Sequence, residues 1–317
     1  MLPSVLDPVV LFFLLGLSAG LMRAELRLPQ SIYEFLSVIL LVAIGLKGGV
    51  ELANQSLFAL LPHMIAVVLM GFTLPLLAYP VLRFVGRLVR ADAASIAAHY
   101  GSVSVGTYAV AVAYLAYRHI PFEEHMPVFL VVLELPAIVV GILLARGASR
   151  NTRWRAMARE IFLSKSIVLL IGGLLIGWVA GADGIRSIEA LFFDLFKGVL
   201  ALFLLEMGLI AASQISGLRQ HGFFLLGFGI AMPLVAGTLG AGLGWIMGLS
   251  LGGTVLLATL AGSASYIAAP AAIRLAVPEA NAALSLGASL GITFPFNIIA
   301  GIPIYHGLAE YFHGLGG

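Results

Sequence analysis

The chain has 317 residues, of which 61% are hydrophobic and only 10% are charged, and its mean hydropathy is +1.08. A soluble domain carries roughly a quarter charged residues, so this composition excludes an ordinary soluble protein and predicts an all-α polytopic membrane protein. The absence of Cys excludes disulfides and thiolate chemistry, and the nearly balanced net charge of +2 gives no reason to expect a nucleic-acid partner.

Ten apolar segments are interpreted as transmembrane helices. A helix that crosses a bilayer needs about 20 apolar residues, and fewer where neighbouring protein shields it. The first segment has no basic leader, so we expect it to be a retained span rather than a signal peptide. In chain order the predicted spans are 8–22, 32–47, 60–82, 93–117, 127–145, 165–182, 193–212, 222–247, 252–276 and 282–309.

The distribution of Lys and Arg predicts the orientation of these spans. With the N-terminus on the non-cytoplasmic side, the cytoplasmic side receives all of the 17 Lys and Arg except Lys47, Arg118, Arg186 and Lys197. The positive-inside rule therefore places both termini on the non-cytoplasmic side of the cell membrane. Lys47 and Lys197 are expected near helix ends, with their ammonium groups reaching the interface.

Two short motifs occur in the same order in both halves of the chain. The segment "IGL" at 44–46 is matched by "MGL" at 207–209, and "GSVS" at 101–104 is matched by "GSAS" at 262–265. The two pairs have nearly the same offset, which indicates a duplication of five spans. Because five is odd, the second half enters the membrane from the opposite face, as in the inverted repeats of many secondary transporters.

The duplication divides the chain into three parts. We predict a first five-helix repeat at 1–146 and a second, inverted five-helix repeat at 165–317. Between them, residues 147–164 form a basic segment that we interpret as a cytoplasmic linker.

The fourth and ninth spans contain Gly and Ser where a helix in lipid would carry Leu and Val. These residues, Gly106 among them, predict two broken, crossing helices, and non-helical backbone at membrane depth must be buried or line a wet cavity. The amides and the dipole at the start of each second half-helix would bind an anion. Alternatively, the small residues serve only close helix packing. The predicted substrate-binding residues are Gly101, Ser102, Ser104, Thr107, Gly262, Ser263, Ser265 and Tyr266.

Two carboxyl groups lie inside apolar spans, Glu134 in span five and Glu206 in span seven. Charges at membrane depth are costly and are usually functional. Each group could bind a cation, carry a proton or be hydrogen-bonded as a neutral acid. Span ten adds two oxygen donors on either side of a proline. The predicted sodium ligands are Glu134, Glu206, Thr293 and Asn297.

Longer stretches resemble the sodium-dependent bicarbonate permease family. They are "AHYGSVSVGTYAVA" at 98–111, "EMGLIAASQI" at 206–215 and above all "AGSASYIAAPAAIRLAVPEANAALSLGASLGITFPFNIIAGIPIYHGL" at 261–308. The resemblance runs through the whole chain and implies sodium-driven uptake of bicarbonate between the breaks of spans four and nine. Residue by residue, it covers the two serine motifs and the acidic position of Glu134. The chain departs from the pattern at Tyr266, where some members carry an Asp, and this changes the predicted anion pocket.

The function predicted from these features is secondary active symport of sodium and bicarbonate by alternating access, with sodium as coupling ion and no other cofactor. The resemblance also implies a homotrimer and a PII-like regulatory protein as partners. The alternatives are a sodium-coupled symporter of another small organic anion, a sodium/proton antiporter, and a membrane receptor that binds a ligand without moving it. An enzyme is not expected, because no catalytic triad, metal motif or phosphate loop occurs in the sequence.

Overall fold

The computed structural model describes residues 8–26, 29–53, 57–123, 125–146, 159, 162–163, 165–215 and 222–315. Within these residues every regular element is helical, so the all-α prediction is confirmed. Most of the predicted linker at 147–164 lies outside the described residues. The helices are α1 Pro8–Leu21, α2 Gln30–Leu52, α3 Leu57–Pro80, α4 Arg90–Gly101, α5 Val105–Tyr117, α6 Met126–Arg146, α7 Lys165–Ile185, α8 Phe196–Ile215, α9 Gly222–Ile246, α10 Leu251–Ala261, α11 Ala268–Ala276 and α12 Ala282–Gly314.

Seven helices of the described chain are long and apolar enough to cross a membrane, namely α2, α3, α6, α7, α8, α9 and α12. Two shorter apolar helices, α1 and α10, accompany them. This arrangement is that of a multi-pass membrane protein. The ten-span inverted repeat itself stays a prediction, since length and composition support seven full spans.

Helical structure is interrupted at both positions where the sequence predicts a break. The backbone of Ser102 and Ser104 is extended, with φ/ψ of −93°/178° and −114°/112°, and this separates α4 from α5. In the second half, residues 262–267 separate α10 from α11. Each interruption leaves the end of one helix and the start of another inside the protein.

Glycines allow two pairs of helices to touch through their backbones. On α2, a Cβ atom added at Gly49 would overlap the carbonyl oxygen of Leu174 on α7, and one added at Gly45 would lie 2.5 Å from the carbonyl oxygen of Leu170. Gly16 of α1 approaches the backbone of Leu205 on α8 in the same way. Small residues at such interfaces are the usual means of close packing between membrane helices.

The start of each interrupted segment is tied to a loop from the other half of the chain. At the start of α4, the carboxylate of Asp92 accepts a hydrogen bond from the backbone N–H of Asn281, at 2.7 Å, in the loop before α12. Before α10, the N–H and the hydroxyl of Ser250 donate to the carboxylate of Glu123, at 2.5 and 3.0 Å, in the loop between α5 and α6. The two ties are reciprocal, because each half holds the other's broken helix at its entry.

Candidate functional site

The two interruptions lie in direct contact with each other. The backbone N–H of Ser104 donates to the hydroxyl of Ser263 at 3.0 Å. In the reverse direction, the backbone N–H of Ser265 donates to the carbonyl of His99 at 2.8 Å. All four residues are buried. The structure therefore brings the two predicted serine motifs together in the interior.

Several of the predicted substrate hydroxyls have partners in the helix ends. The Ser104 hydroxyl caps α5 by accepting from the N–H of Thr107 at 3.1 Å and from its hydroxyl at 2.8 Å. At the first turn of α11, the Ser265 hydroxyl accepts from the N–H of Ala269 at 3.2 Å. The Ser263 hydroxyl donates to the carbonyl of Leu260 at 2.8 Å. These hydroxyls satisfy backbone groups that the breaks leave unpaired.

Beside the contact between the two interruptions lies a small space that we call the crossing cavity. Its volume is ≈ 10 Å³, which is about the space that a single water molecule needs. The crossing cavity joins both interruptions to a carboxyl group from α6. Its walls are Val103, Ser104, Val105, Glu134, Ser265, Tyr266 and Ile267.

Glu134 contributes a carboxyl group to this cavity from within a span. The residue is 2% exposed, and its Oε2 atom has no hydrogen-bond partner among the described residues. Its backbone carbonyl accepts a bond of 3.3 Å from the hydroxyl of Ser102. Because an unpaired buried carboxylate costs several kcal/mol, this group requires a bound cation or a proton.

Tyr266 is the second residue of the crossing cavity with a buried polar atom that has no hydrogen-bond partner among the described residues. Its hydroxyl is buried beside Ser104 and the backbone of Gly106, and it forms no hydrogen bond of good geometry with the described residues. The Tyr266 ring packs edge-on against Phe294, and the two ring centroids are 5.4 Å apart. A Cβ atom on Gly106 would overlap the Tyr266 hydroxyl, so the absence of a side chain there makes room for it.

Gly106 is not among the predicted substrate-binding residues, because sequence reasoning assigned it only to loosening the helix, yet it lies beside the Tyr266 hydroxyl. The signal that could have identified it is its place at the start of α5, the half-helix predicted to face an anion. Gly101, which was predicted to bind substrate, packs instead between Pro75 and Ala137, where an added Cβ would lie 2.5 and 2.7 Å from their side chains.

Two of the predicted sodium ligands have other partners. The Thr293 hydroxyl donates to the carbonyl of Gly229 at 2.7 Å and lies 2.7 Å from the hydroxyl of Tyr100. The Asn297 amide donates to the carbonyl of Gly262 at 2.8 Å and accepts from Tyr305 at 2.7 Å. Both side chains join α12 to neighbouring helices, and neither is among the residues that line the crossing cavity.

Glu206, the remaining predicted ligand, is half-buried on α8 near Tyr33 of α2 and is not among the walls of the crossing cavity. Among the residues that the structure describes, no three His, Asp or Glu side chains cluster as a metal site would require. A cation at the crossing would thus be held by one carboxylate together with hydroxyl and carbonyl oxygens, which are hard ligands that suit sodium.

An apolar helical protein in which two interrupted helices touch beside a buried carboxyl group has the features of a membrane transport protein. A sequence model of the Na⁺-dependent bicarbonate transporter superfamily matches residues 8–310, and the chain belongs to that superfamily. The resemblance found in the sequence is thereby confirmed. Membership implies a Na⁺-dependent bicarbonate transporter rather than an enzyme, with sodium as the coupling ion. A comparison with curated protein sequences finds no match.

Proposed function

We propose that the protein is a symporter that moves sodium and bicarbonate together across the cell membrane by alternating access. The observation that carries this proposal is the crossing cavity, where the starts of α5 and α11 meet the carboxyl group of Glu134 and the hydroxyl of Tyr266. Helix N-termini favour an anion, and a buried carboxylate favours a cation. The two kinds of group lie in the walls of one cavity.

The proposed places of the two ions follow from these charges. Bicarbonate would bind at the first turns of α5 and α11, where the helix dipoles favour an anion and where it would take the place of the serine hydroxyls that now accept from the amides of Thr107 and Ala269. The Tyr266 hydroxyl, which lies beside Gly106, would donate to it or move aside for it. Sodium would bind at Glu134, with serine hydroxyls as neutral oxygen ligands.

Coupling would arise because sodium cancels the charge of Glu134. Two like charges 4 Å apart repel by about 4 kcal/mol at an effective dielectric constant of 20, so a bare carboxylate would oppose the anion strongly. Bound sodium removes this repulsion. By thermodynamic reciprocity, bicarbonate then increases the affinity for sodium by the same factor.

The reciprocal ties at Asp92 and Glu123 support the inverted repeat, because each half fixes the entry of the other's broken helix. Two five-helix repeats at 1–146 and 165–317, with both termini outside, would let the halves present the crossing to either side in turn. The homotrimer and the PII-like regulatory protein stay predictions from the family.

The volume of the crossing cavity favours a small anion over a larger organic one. A space of ≈ 10 Å³ must expand even for bicarbonate, and each added carbon of an organic acid would require more displacement of Tyr266 and its neighbours. A sodium/proton antiporter would use the Glu134 carboxyl group, but it would not need the N-termini of α5 and α11 as an anion-binding site.

The test is uptake of labelled bicarbonate by proteoliposomes at fixed pH, with an inward sodium gradient and with potassium in its place. A potassium ionophore clamps the membrane potential, and empty liposomes give the background. We expect accumulation only with sodium. Uptake that is indifferent to sodium, or sodium flux coupled to protons without bicarbonate, would contradict the proposal.

A further inference from the structure

A second and much larger cavity lies away from the crossing, and we call it the vestibule. Its volume is ≈ 500 Å³. It is bounded by α2, by α5, and by the segment that joins α7 to α8 and the start of α8. The residues that matter here are Lys47, Tyr108, Val112, Glu189, Asp194 and Lys197.

Lys47 and Lys197 both line the vestibule, and both are exposed. From the sequence we expected only that their ammonium groups reach the membrane–water interface. The Lys47 ammonium lies 5.6 Å from the ring centroid of Phe122. The ion pairs among the described residues include neither Lys47 nor Lys197 within 4.0 Å of a carboxylate. Neither ammonium group therefore forms an ion pair with a carboxylate whose side chain the structure describes.

Carboxylates also face this space, so the position of each charge decides its effect. Glu189 and Asp194 belong to the segment before α8, and Arg186 in the adjoining cavity pairs with Asp183 at 3.4 Å. The two lysines, in contrast, belong to α2 and α8, whose neighbouring turns line a second, narrower space.

That narrow space has a volume of ≈ 20 Å³ and shares Val105 and Ile267 with the walls of the crossing cavity. Leu40 and Leu41 of α2 line it, one to two turns before Lys47, and Phe203 of α8 lines it, less than two turns after Lys197. Glu34 of α2 and Glu206 of α8 are closer along each helix to the narrow space, and the lysines are the charged groups of these two helices that line the vestibule itself.

One helix, α5, connects all three spaces in order. Val112 and Tyr108 face the vestibule, Ala109 and Gly106 face the narrow space, and Ser104 faces the crossing cavity. At a rise of about 1.5 Å per residue, Val112 lies about 12 Å along the helix from Ser104. The vestibule therefore lies close to the crossing cavity along α5.

We propose that the vestibule is an outer binding space for small anions and that Lys47 and Lys197 form its anion-attracting subsite. A cavity with low-dielectric walls concentrates the field of its charges, so two lysines raise the local concentration of anions. The proposal takes from the proposed function only the identity of the transported anion. The charge preference of the vestibule does not depend on it.

The test uses the absence of Cys from the chain, which makes a single introduced thiol specific. A Val112→Cys variant of the full chain is treated with an anionic and a cationic methanethiosulfonate reagent of similar size. Each rate is divided by that of a free thiol in the same buffer. We expect the anionic reagent to be favoured, the preference to weaken with added salt, and Lys47→Gln to lower it several-fold.

Two variants provide controls. Lys165→Gln should leave the preference unchanged, because Lys165 lies at the start of α7 and pairs with Glu34 at 3.7 Å, outside the vestibule. Glu189→Gln should increase the preference, because it removes a negative charge from the same space. In uptake measurements, Lys47→Gln should raise the KM for bicarbonate several-fold and leave kcat nearly unchanged.

A preference no greater than that of the free thiol, or one that Lys47→Gln does not change, would overturn the proposal. If Val112→Cys does not react, Ala116→Cys tests the same space from an exposed position, and failure of both to react would also overturn it. If the thiol variant keeps its preference for the anionic reagent but the protein shows no bicarbonate uptake, the proposed function is refuted and the anion preference of the vestibule still stands.

Discussion

Replacement of Glu134 by Gln tests directly whether this carboxyl group binds the coupling ion. The substitution keeps the shape of the side chain and removes its charge. In sodium-free buffer we expect little change in stability, because the Oε2 atom that becomes part of the amide has no hydrogen-bond partner in the described structure. The difference should emerge when sodium is added.

The size of that difference follows from linkage. A ligand that binds only the folded state stabilises it by RT ln(1 + [L]/Kd), which is about 1.4 kcal/mol at ten times Kd and about 2.7 kcal/mol at a hundred times Kd. At about 2–4 °C per kcal/mol, ten times Kd corresponds to a rise in Tm of about 3–6 °C. Glu134→Gln should lose most of this rise, because it removes the one carboxylate that lines the crossing cavity.

The assay is thermal unfolding of purified protein across a sodium series, with choline replacing sodium at constant ionic strength. Glu206→Gln is the matched control, since Glu206 is also a carboxyl group within a span but is absent from the walls of the crossing cavity. It should retain the full sodium-dependent rise. The reasoning is refuted if Glu134→Gln retains the rise, and the ligand is reassigned if Glu206→Gln loses it.

Three further substitutions test other parts of the structure. Tyr266→Phe should leave Tm within about 1 °C because its hydroxyl forms no hydrogen bond of good geometry with the described residues, yet it should weaken bicarbonate uptake; unchanged uptake would remove the hydroxyl from the site. Asn297→Ala should destabilise the protein by about 1–3 kcal/mol, measured by denaturation, because the buried carbonyl of Gly262 loses its shorter donor and the hydroxyl of Tyr305 loses its acceptor on Asn297; an unchanged midpoint would contradict this. Gly49→Val should strongly reduce the yield of folded protein in detergent, because its side chain would overlap the carbonyl of Leu174; wild-type yield would show that these helices do not pack so closely.

The interruptions in the two helices could be predicted from the sequence because their cause is local. Gly and Ser at 101–104 and 262–265 weaken a helix wherever they occur. The apolar spans could be predicted for the same reason, since the bilayer acts on every residue in turn. Contact between the two breaks could be expected only from the repeat, which sets equivalent segments at equivalent depth.

The partners of individual polar atoms could not be predicted, because they depend on residues far apart in the chain. Asn297 and Thr293 have oxygen atoms that suit sodium, but the chain uses them on Gly262 and Gly229. Similarly, the apolar surroundings of Lys47 in the sequence indicated a helix end and gave no sign of a cavity, whose walls come from four separate segments.

The division between structural and functional atoms at the crossing follows from hydrogen-bond satisfaction. A helix break within a membrane protein frees amides and carbonyls that must find partners, and Ser104, Ser263 and Ser265 supply them. Loss of transport on substitution of these serines would therefore combine damage to the helix ends with damage to the site. The Glu134 carboxyl group and the Tyr266 hydroxyl have no such task among the described residues, and under the proposed function the transported ions would be their partners. These two groups are thus where a substitution separates ion binding from folding.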